Sequence, residues 1–428
     1  MKFLSSTSPE FFGKTILLIL LSVVFISSDI YGQTGSVSPY SRYGIGELKN
    51  QGFSHHRAAG GVVNAWDDDK HINPVNSATL VYDTTTTFEV GLDAEWVNIE
   101  NSSTSTNSAS GTFGYFALAF PVVKHKWSAA LGLQPVSSTG YEVSVSEFRD
   151  GIGNLQFDFE GEGGFSKFFL NNGFKILPGL TAGFSTQFYF GTIENIKSIE
   201  YPRNEDYFNS RYIDAVTAND FQFDASLHYR IDLPRKRQLQ FGLTASVPSE
   251  LTARRNVYWY NYTTSAFGFE LIKDSVTTIS DEKGSISMPV YYRFGTLYKV
   301  GNKWLVGADF NYMDWSKFEK FGVKDSLANS YSMHLGGVYK REGIRFMAGF
   351  QYSKSFLELR NQQLDDISAT FGISLVKLFS IRPPVFINLA VQVGQRGTTD
   401  EDLIQENYTR FTFGITISDI WFIKPKYD

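Results

Sequence analysis

The stretch "FQFDASLHYRID", from Phe221 to Asp232, decides the fold class. Phe221, Phe223, Ala225, Leu227, Tyr229 and Ile231 share one face, and Gln222, Asp224, Ser226, His228, Arg230 and Asp232 share the other, because side chains in a strand alternate with period two. One side is apolar and the other fully polar, which suits a strand with lipid on one face and a polar interior on the other. Slipping the assignment by one residue would put the charges into lipid, at roughly 2–4 kcal/mol for an Arg at the bilayer midplane.

The same alternation recurs at Phe88–Trp96, Leu239–Val247, Trp304–Tyr312, Tyr331–Tyr339, Ile344–Tyr352, Ile367–Leu375, Ile387–Val393 and Phe411–Ile417. Weaker strands fit near 112–121, 126–136, 154–175, 178–194 and 286–299. The total is about fourteen, an even number, as single-chain bacterial barrels require. Connection lengths give an independent check, since such barrels have short periplasmic turns and longer outer loops. Short links are expected at Val122–Lys126, Leu177–Gly179, Leu233–Arg237, Val300–Lys303, Lys340–Gly343 and Ser380–Pro384. Long loops are expected at Asn101–Ser110 and around 138–153, 195–218, 254–284, 316–329, 357–365 and 395–406. A periplasmic β-sandwich or propeller would also alternate, but it gives no reason for this strict alternation of link length.

Composition agrees. The chain has 38 Phe, 23 Tyr, 37 Gly and no Cys among 428 residues, with a net charge of -5. The absence of cysteine excludes disulfides, zinc-thiolate sites and a cysteine nucleophile, and no basic excess points to nucleic acid. The apolar run "TILLILLSVVFI" (Thr15 to Ile26) follows Lys2 and Lys14 and leads into small and polar residues. It is too short to span a bilayer and reads as a signal peptide over residues 1–33, with cleavage near Gln33. Residues 34–84 lack strand alternation and are rich in Gly, Ala and Asn; the economical place for them is the lumen, as a plug for a wall formed by residues 85–428.

The residues also carry a resemblance. Gly44-x-Gly46, the run "AAGGVVNA", an acidic step and Asn73-Pro74 just before the first strand resemble the FadL family of outer-membrane transporters for hydrophobic compounds. So do Met288–Ser326 with its "DWSKF" exit (Asp314 to Phe318) and Trp127–Ser144 at the third strand. The resemblance implies a fourteen-stranded barrel in the outer membrane with an N-terminal hatch. Gly44, Gly46, Asn73 and Pro74 would belong to that hatch, and a hydrophobic ligand would leave by diffusion through a gap near the third strand, without a cofactor. Gly132 and Pro135 are the candidates for that gap, because Pro cannot donate to a ladder and belongs at a break. Two departures stand out: Val75 follows Asn-Pro where the family commonly has Ala, and the start "TGSVSPYSRYG" (Thr34 to Gly44) does not match the family's short hydrophobic start.

The cluster Asp67, Asp68, Asp69 and His71 invites a metal reading, but three adjacent aspartates cannot all face one ion and calcium loops alternate ligands with spacers. A solvated turn or helix cap in the plug is the expectation. His55 and His56 are expected to make polar contacts with the wall. Arg57, Arg230, Arg293 and Arg345 are candidates for contact with a ligand headgroup. No Gly-x-Ser-x-Gly or other catalytic constellation occurs, so the chain reads as a non-enzyme. The expected function is a channel for passive uptake of hydrophobic small molecules; the alternative is a barrel that no longer transports and serves as a structural subunit of an outer-membrane assembly or secretion complex. Membrane lipids are expected around the wall in either case.

Overall fold

The computed structural model describes residues 35–202, 207–265, 267–376 and 384–421; the expected signal peptide and nearly all of the expected Ser380–Pro384 turn lie outside them. The chain forms an antiparallel barrel of fourteen wall strands. These are β1 (Thr86–Glu100), β2 (Ser105–Val123), β3 (Trp127–Pro135 and Ser137–Arg149), β4 (Gly153–Leu177), β5 (Leu180–Glu200), β6 (Asn209–Leu233) and β7 (Arg237–Ser246 and Glu250–Thr264). They continue as β8 (Glu270–Ser287 and Val290–Val300), β9 (Trp304–Asp314), β10 (Ser330–Arg341), β11 (Ile344–Leu359), β12 (Gln362–Val376), β13 (Val385–Gly397) and β14 (Gln405–Asp419). Each pairs with its chain neighbours over at least part of its length, and β1 pairs with β14 from Thr86↔Asp419 to Glu100↔Gln405, which closes the cylinder.

The face assignment from Phe221–Asp232 holds, in the inverted sense a membrane demands. Gln222, Asp224, Ser226 and His228 are buried, whereas Phe221, Phe223, Leu227 and Tyr229 are exposed to the surroundings. A charge placed outward should therefore be punished where a charge inward is tolerated: Leu227→Arg is expected to lose roughly 2 kcal/mol, read as a lower urea midpoint for unfolding from lipid vesicles than that of the parent. An unchanged midpoint would place Leu227 away from lipid.

Several stretches expected as long loops are strands instead. Residues 138–149, 195–200, 209–218, 250–264 and 270–284 continue the wall beyond the lipid-facing band, so the barrel is tall on the side of β3 to β8. Their sequences carry no outward apolar alternation because water lies on that face at that height, and the polar composition resembles a loop. At β9 the wall stays short: Asp314 ends the strand and Trp315 and Phe318 turn inward, both fully buried, with Trp315 stacked on Phe356 at 4.2 Å.

Candidate functional site: the filled lumen

Residues 35–83 lie inside the barrel, with a 3-10 turn (Pro39–Arg42), the two-residue strand Glu47–Leu48, a short helix (Ser54–Ala58) and a 3-10 helix (Ser77–Tyr82). Few of their backbone groups pair with one another, so the inward wall side chains take up the bonds that burial would otherwise leave open. Asp309 accepts from the Val63 and Asn64 N–H groups at 2.7 and 2.9 Å, Glu89 from Ile72 N–H at 2.6 Å, and Thr370 from Gly60 N–H at 2.8 Å. These inward acids are the polar partners of a filled lumen.

The Asn73-Pro74 step folds on itself. The Asn73 amide donates to the Val63 and Trp66 carbonyls at 2.7 and 3.1 Å, while its oxygen accepts from Val75 and Asn76 N–H at 2.9 and 3.0 Å. One side chain thereby joins the Val63–Trp66 turn to the start of the 3-10 helix. The Pro74 carbonyl accepts from Asn171 of β4 at 3.2 Å. Gly44 and Gly46 sit at φ +61° and +94°, and a Cβ on Gly46 would meet the Ser138 carbonyl oxygen at 2.7 Å. They bend the chain where it leaves β3.

Two of the three adjacent aspartates are not solvated, contrary to the turn expected from sequence. Asp67 accepts from Gln240 at 2.8 Å and Arg230 at 3.3 Å and also pairs with Lys299. Asp68 pairs with Arg345 at 2.6 Å and lies 3.6 Å from His71. Burial pushes both carboxyls up, but Lys299 beside Asp67 and Arg345 beside Asp68 outweigh it and hold them below the usual carboxylate range. Only Asp69 stays in water, its side chain 61 % exposed. The charges divide because Arg230, Lys299 and Arg345 sit at or near the short-turn ends of β6, β8 and β11 and reach the same level of the plug.

A second anchor lies toward the outer side, and it has no sequence motif. Glu47 receives Arg396 at 2.9 Å, Arg410 at 2.5 Å, Lys49 at 3.2 Å and the Ser36 hydroxyl at 2.7 Å. Burial raises its carboxyl, yet Lys49, Arg396 and Arg410 together hold it well below the ordinary range. Ser38 donates to Glu406 at 2.5 Å, which also holds Arg396. A lone Glu between Gly46 and Leu48 offers no signal in one dimension, and Arg396 falls at the very end of its strand.

His55 contacts His56 and His71, with ring centroids 3.8 and 4.3 Å apart, and both His55 and His56 meet Trp66 edge-on. The contacts with the wall expected for them reduce to Glu89, 3.9 Å from His55. Among the described residues no group of His, Asp and Glu is arranged to hold a metal ion.

Of the four arginines singled out, three are committed to holding the plug. Arg57 pairs with Asp93 of β1 at 2.6 Å and donates to the Asn50 and Gly52 carbonyls, Arg230 serves Asp67, and Arg345 serves Asp68. Arg293 differs. Its guanidinium lies 4.3 Å over the Tyr291 ring and, alone among these four, has no carboxylate partner among the described residues. It borders a half-open pocket of about 320 Å³ that reaches Lys167, Tyr189, Trp315, Phe356 and Val136.

The third strand is broken one residue beyond Pro135. Its first part pairs with β2 up to Phe116↔Leu133 and with β4 up to Pro135↔Ser166. After Val136 it keeps only β4 on the wall side, so among the described residues Ser105–Tyr115 of β2 pair with β1 alone. Gly132 lies inside the ladder rather than at the break; a Cβ there would meet the Phe169 ring at 2.5 Å. The seam is not empty. Glu47 and Leu48 add as a strand to Ser138 and Ser137, Lys49 N–H donates to the Val136 carbonyl at 2.9 Å, and Ser41 bonds both backbone groups of Gly140. Gly35 lies between Ser138 and Thr112, on the two sides of the seam.

A closed fourteen-strand wall, a lumen filled by the N-terminal segment and a third strand broken at mid-height define a barrel with the fold of FadL-like channels. Solved structures share this fold. The toluene transporter TodX of Pseudomonas putida superposes with a TM-score of 0.60 at 14% identity, over 88% of this chain and 100% of that one. A Pseudomonas aeruginosa FadL homologue gives 0.58 at 12% identity (88% and 100% covered), and the CymD monoaromatic hydrocarbon channel 0.57 at 11% (87% and 99%). No curated protein matches the sequence. The family profile described as BamG matches residues 14–428, and the chain belongs to that family.

Proposed function

We propose that this chain is a non-catalytic, non-conducting barrel of the outer membrane that acts as a structural subunit of an envelope assembly. The observation that carries the reading is that the N-terminal segment both fills the lumen and occupies the seam at β3. Displacing it downward would break the contacts of Asp67 with Lys299 and Arg230, Asp68 with Arg345 and Arg57 with Asp93. These pairs tie the segment to four different wall strands, so it cannot shift without parting several of them at once. Sideways passage meets Glu47–Lys49 paired to Val136–Ser138.

A second reading is favoured by the pocket and by Arg293. A half-open pocket of about 320 Å³ with Trp315 and Phe356 on its wall and a guanidinium in no ion pair among the described residues suits a hydrophobic molecule with an acidic headgroup, the kind of cargo a hatch-gated channel with lateral exit through the β3 seam would pass. Purification in mild detergent separates the two. The structural reading expects envelope proteins at fixed stoichiometry and no bound lipid in the lumen. A barrel that purifies alone, carries lipid in the pocket and moves labelled fatty acid into vesicles in an Arg293-dependent way would overturn it in favour of the channel.

A further inference from the structure

The seam at β3 continues outward past the point where this chain fills it. Gly44 and Gly46, both at positive φ, turn the N-terminal segment off the β3 edge, so backbone addition stops at Ser138 and the Ser41 hydroxyl takes Gly140. From Tyr141 to Arg149, β3 pairs with β4 on one side, and among the described residues its other edge carries no ladder. Facing the same seam, β2 is likewise free on that side from Ser105. Trp96 pairs with Ala109, and an exposed tryptophan on a barrel wall marks the interfacial belt. The open edges therefore run from that belt into the medium.

The β2 edge lacks the devices that normally blunt an edge strand, and the β3 edge carries Glu142, Glu147 and Arg149 but neither a bulge nor a proline. Ser105–Phe113 reads "STNSASGTF", with no charge and no proline, and it stays in regular register with β1 throughout. Tyr141–Arg149 is regular against β4. By contrast, the outer part of β8, free on one side above its short pairing with Glu319–Lys320, is broken by three register shifts against β7 and carries Lys273, Asp274, Asp281 and Glu282. One edge is guarded against strand addition and the other is left receptive.

The charge beside the receptive edge is one-sided. Glu142 lies directly opposite Glu160, and Glu162 directly opposite Glu194. Tyr141 covers Gly161 on the opposite, lumenal face, so these carboxylates share the outer face. None has an ion-pair partner among the described residues, and like charges directly across a ladder are destabilising unless a cation is supplied.

We propose that the β2–β3 seam, from the level of Ala109 and Tyr141 outward, is a docking slot for an extended, lysine- or arginine-bearing strand of an envelope partner, which adds to the β3 edge by main-chain hydrogen bonds. Glu47–Leu48 makes the same addition to the same edge at the base of the slot. The proposal deepens the structural reading and names where the partner sits.

The test uses the full-length protein in intact cells, with a photo-crosslinking amino acid placed in turn at each position from Ser105 to Ala109 and from Glu142 to Phe148. The expected result is crosslinking to one segment of one partner at every second position, with the crosslinked peptide carrying basic residues. Glu160→Lys combined with Glu162→Lys should abolish it, and so should Ser146→Pro, while thermal unfolding of the barrel stays at the parent value. Crosslinks without period two, to lipid alone, or unchanged by charge reversal would overturn the slot. If the seam stays silent while mild-detergent purification still yields partners, only the slot falls; if no partner appears by either route, the structural reading falls with it.

Discussion

Asp67→Ala is expected to lower stability by about 3–5 kcal/mol, the cost of stranding a buried charge when its partner is removed. Asp67 is the point on which Lys299, Arg230 and Gln240 converge, from three adjacent strands, and it is 3 % exposed. Its loss leaves the Lys299 ammonium facing the Asp67 carbonyl alone, at 2.7 Å. The plug end next to Asn73-Pro74 should loosen before the wall does. The measurement is thermal unfolding of the purified barrel in detergent, where the loss corresponds to roughly 4–6 °C. Replacing Asp67 and Lys299 together by leucine should recover part of it, because the double change removes the stranded charge. A drop under about 2 °C for Asp67→Ala would mean that these ions hold nothing in place.

Acid should act on the same region with greater force. His55, His56 and His71 are buried and held neutral: burial pushes each below its ordinary value, assisted by the neighbouring imidazoles or by Arg345 beside His71. The unfolded chain takes up these protons below about pH 6.5 while the folded chain does not, so stability is full above that value and falls as the pH drops. His56, held down to about 3, accounts for about 2 kcal/mol at pH 5, and His55 and His71 act in the same direction. Glu47, Asp67 and Asp68 are depressed instead, so their contribution is complete above the ordinary carboxylate range and is lost as the pH falls below it. Asp83 opposes them: burial, then Asp68 and Glu89, raise its carboxyl well above the usual value, so the folded state keeps that proton. The net expectation is a melting temperature that declines steadily from pH 7 to pH 4, with a shallower slope in His56→Gln. A flat or rising profile would contradict the buried, neutral cluster.

The wall was legible wherever lipid imposes alternation. Phe221 to Asp232 carries face, register and spacing in twelve consecutive residues, and the short turns at Val122–Lys126, Leu233–Arg237 and Val300–Lys303 fall where expected. The alternation fades above the lipid, which is why 138–149 and 270–284 read as loops although their backbones continue the ladders. The plug was legible in part. Asn73-Pro74 marks the joint, and the acidic run marks an anchor, yet nothing in "DDDK" says which acids face water. That depends on Arg230, Lys299 and Arg345, which are 160 to 280 residues away in sequence and adjacent only because the cylinder brings their turn ends to one level. Glu47 was invisible for the same reason. Pro135 came within one residue of the break in β3; Gly132 was misleading, since a glycine in a ladder also serves a large neighbour such as Phe169.

The pairing of β1 with β14 has a consequence for how the molecule is made. The first wall strand cannot be satisfied until the last has been synthesised, and Glu47 depends on Arg396 and Arg410, which belong to the last two strands. The N-terminal segment leaves the ribosome first yet acquires its outer anchor last. Until then Glu47 has only its local partners Lys49 and Ser36, so the outer end of the lumen segment is fully held only once the C-terminal hairpin is in place.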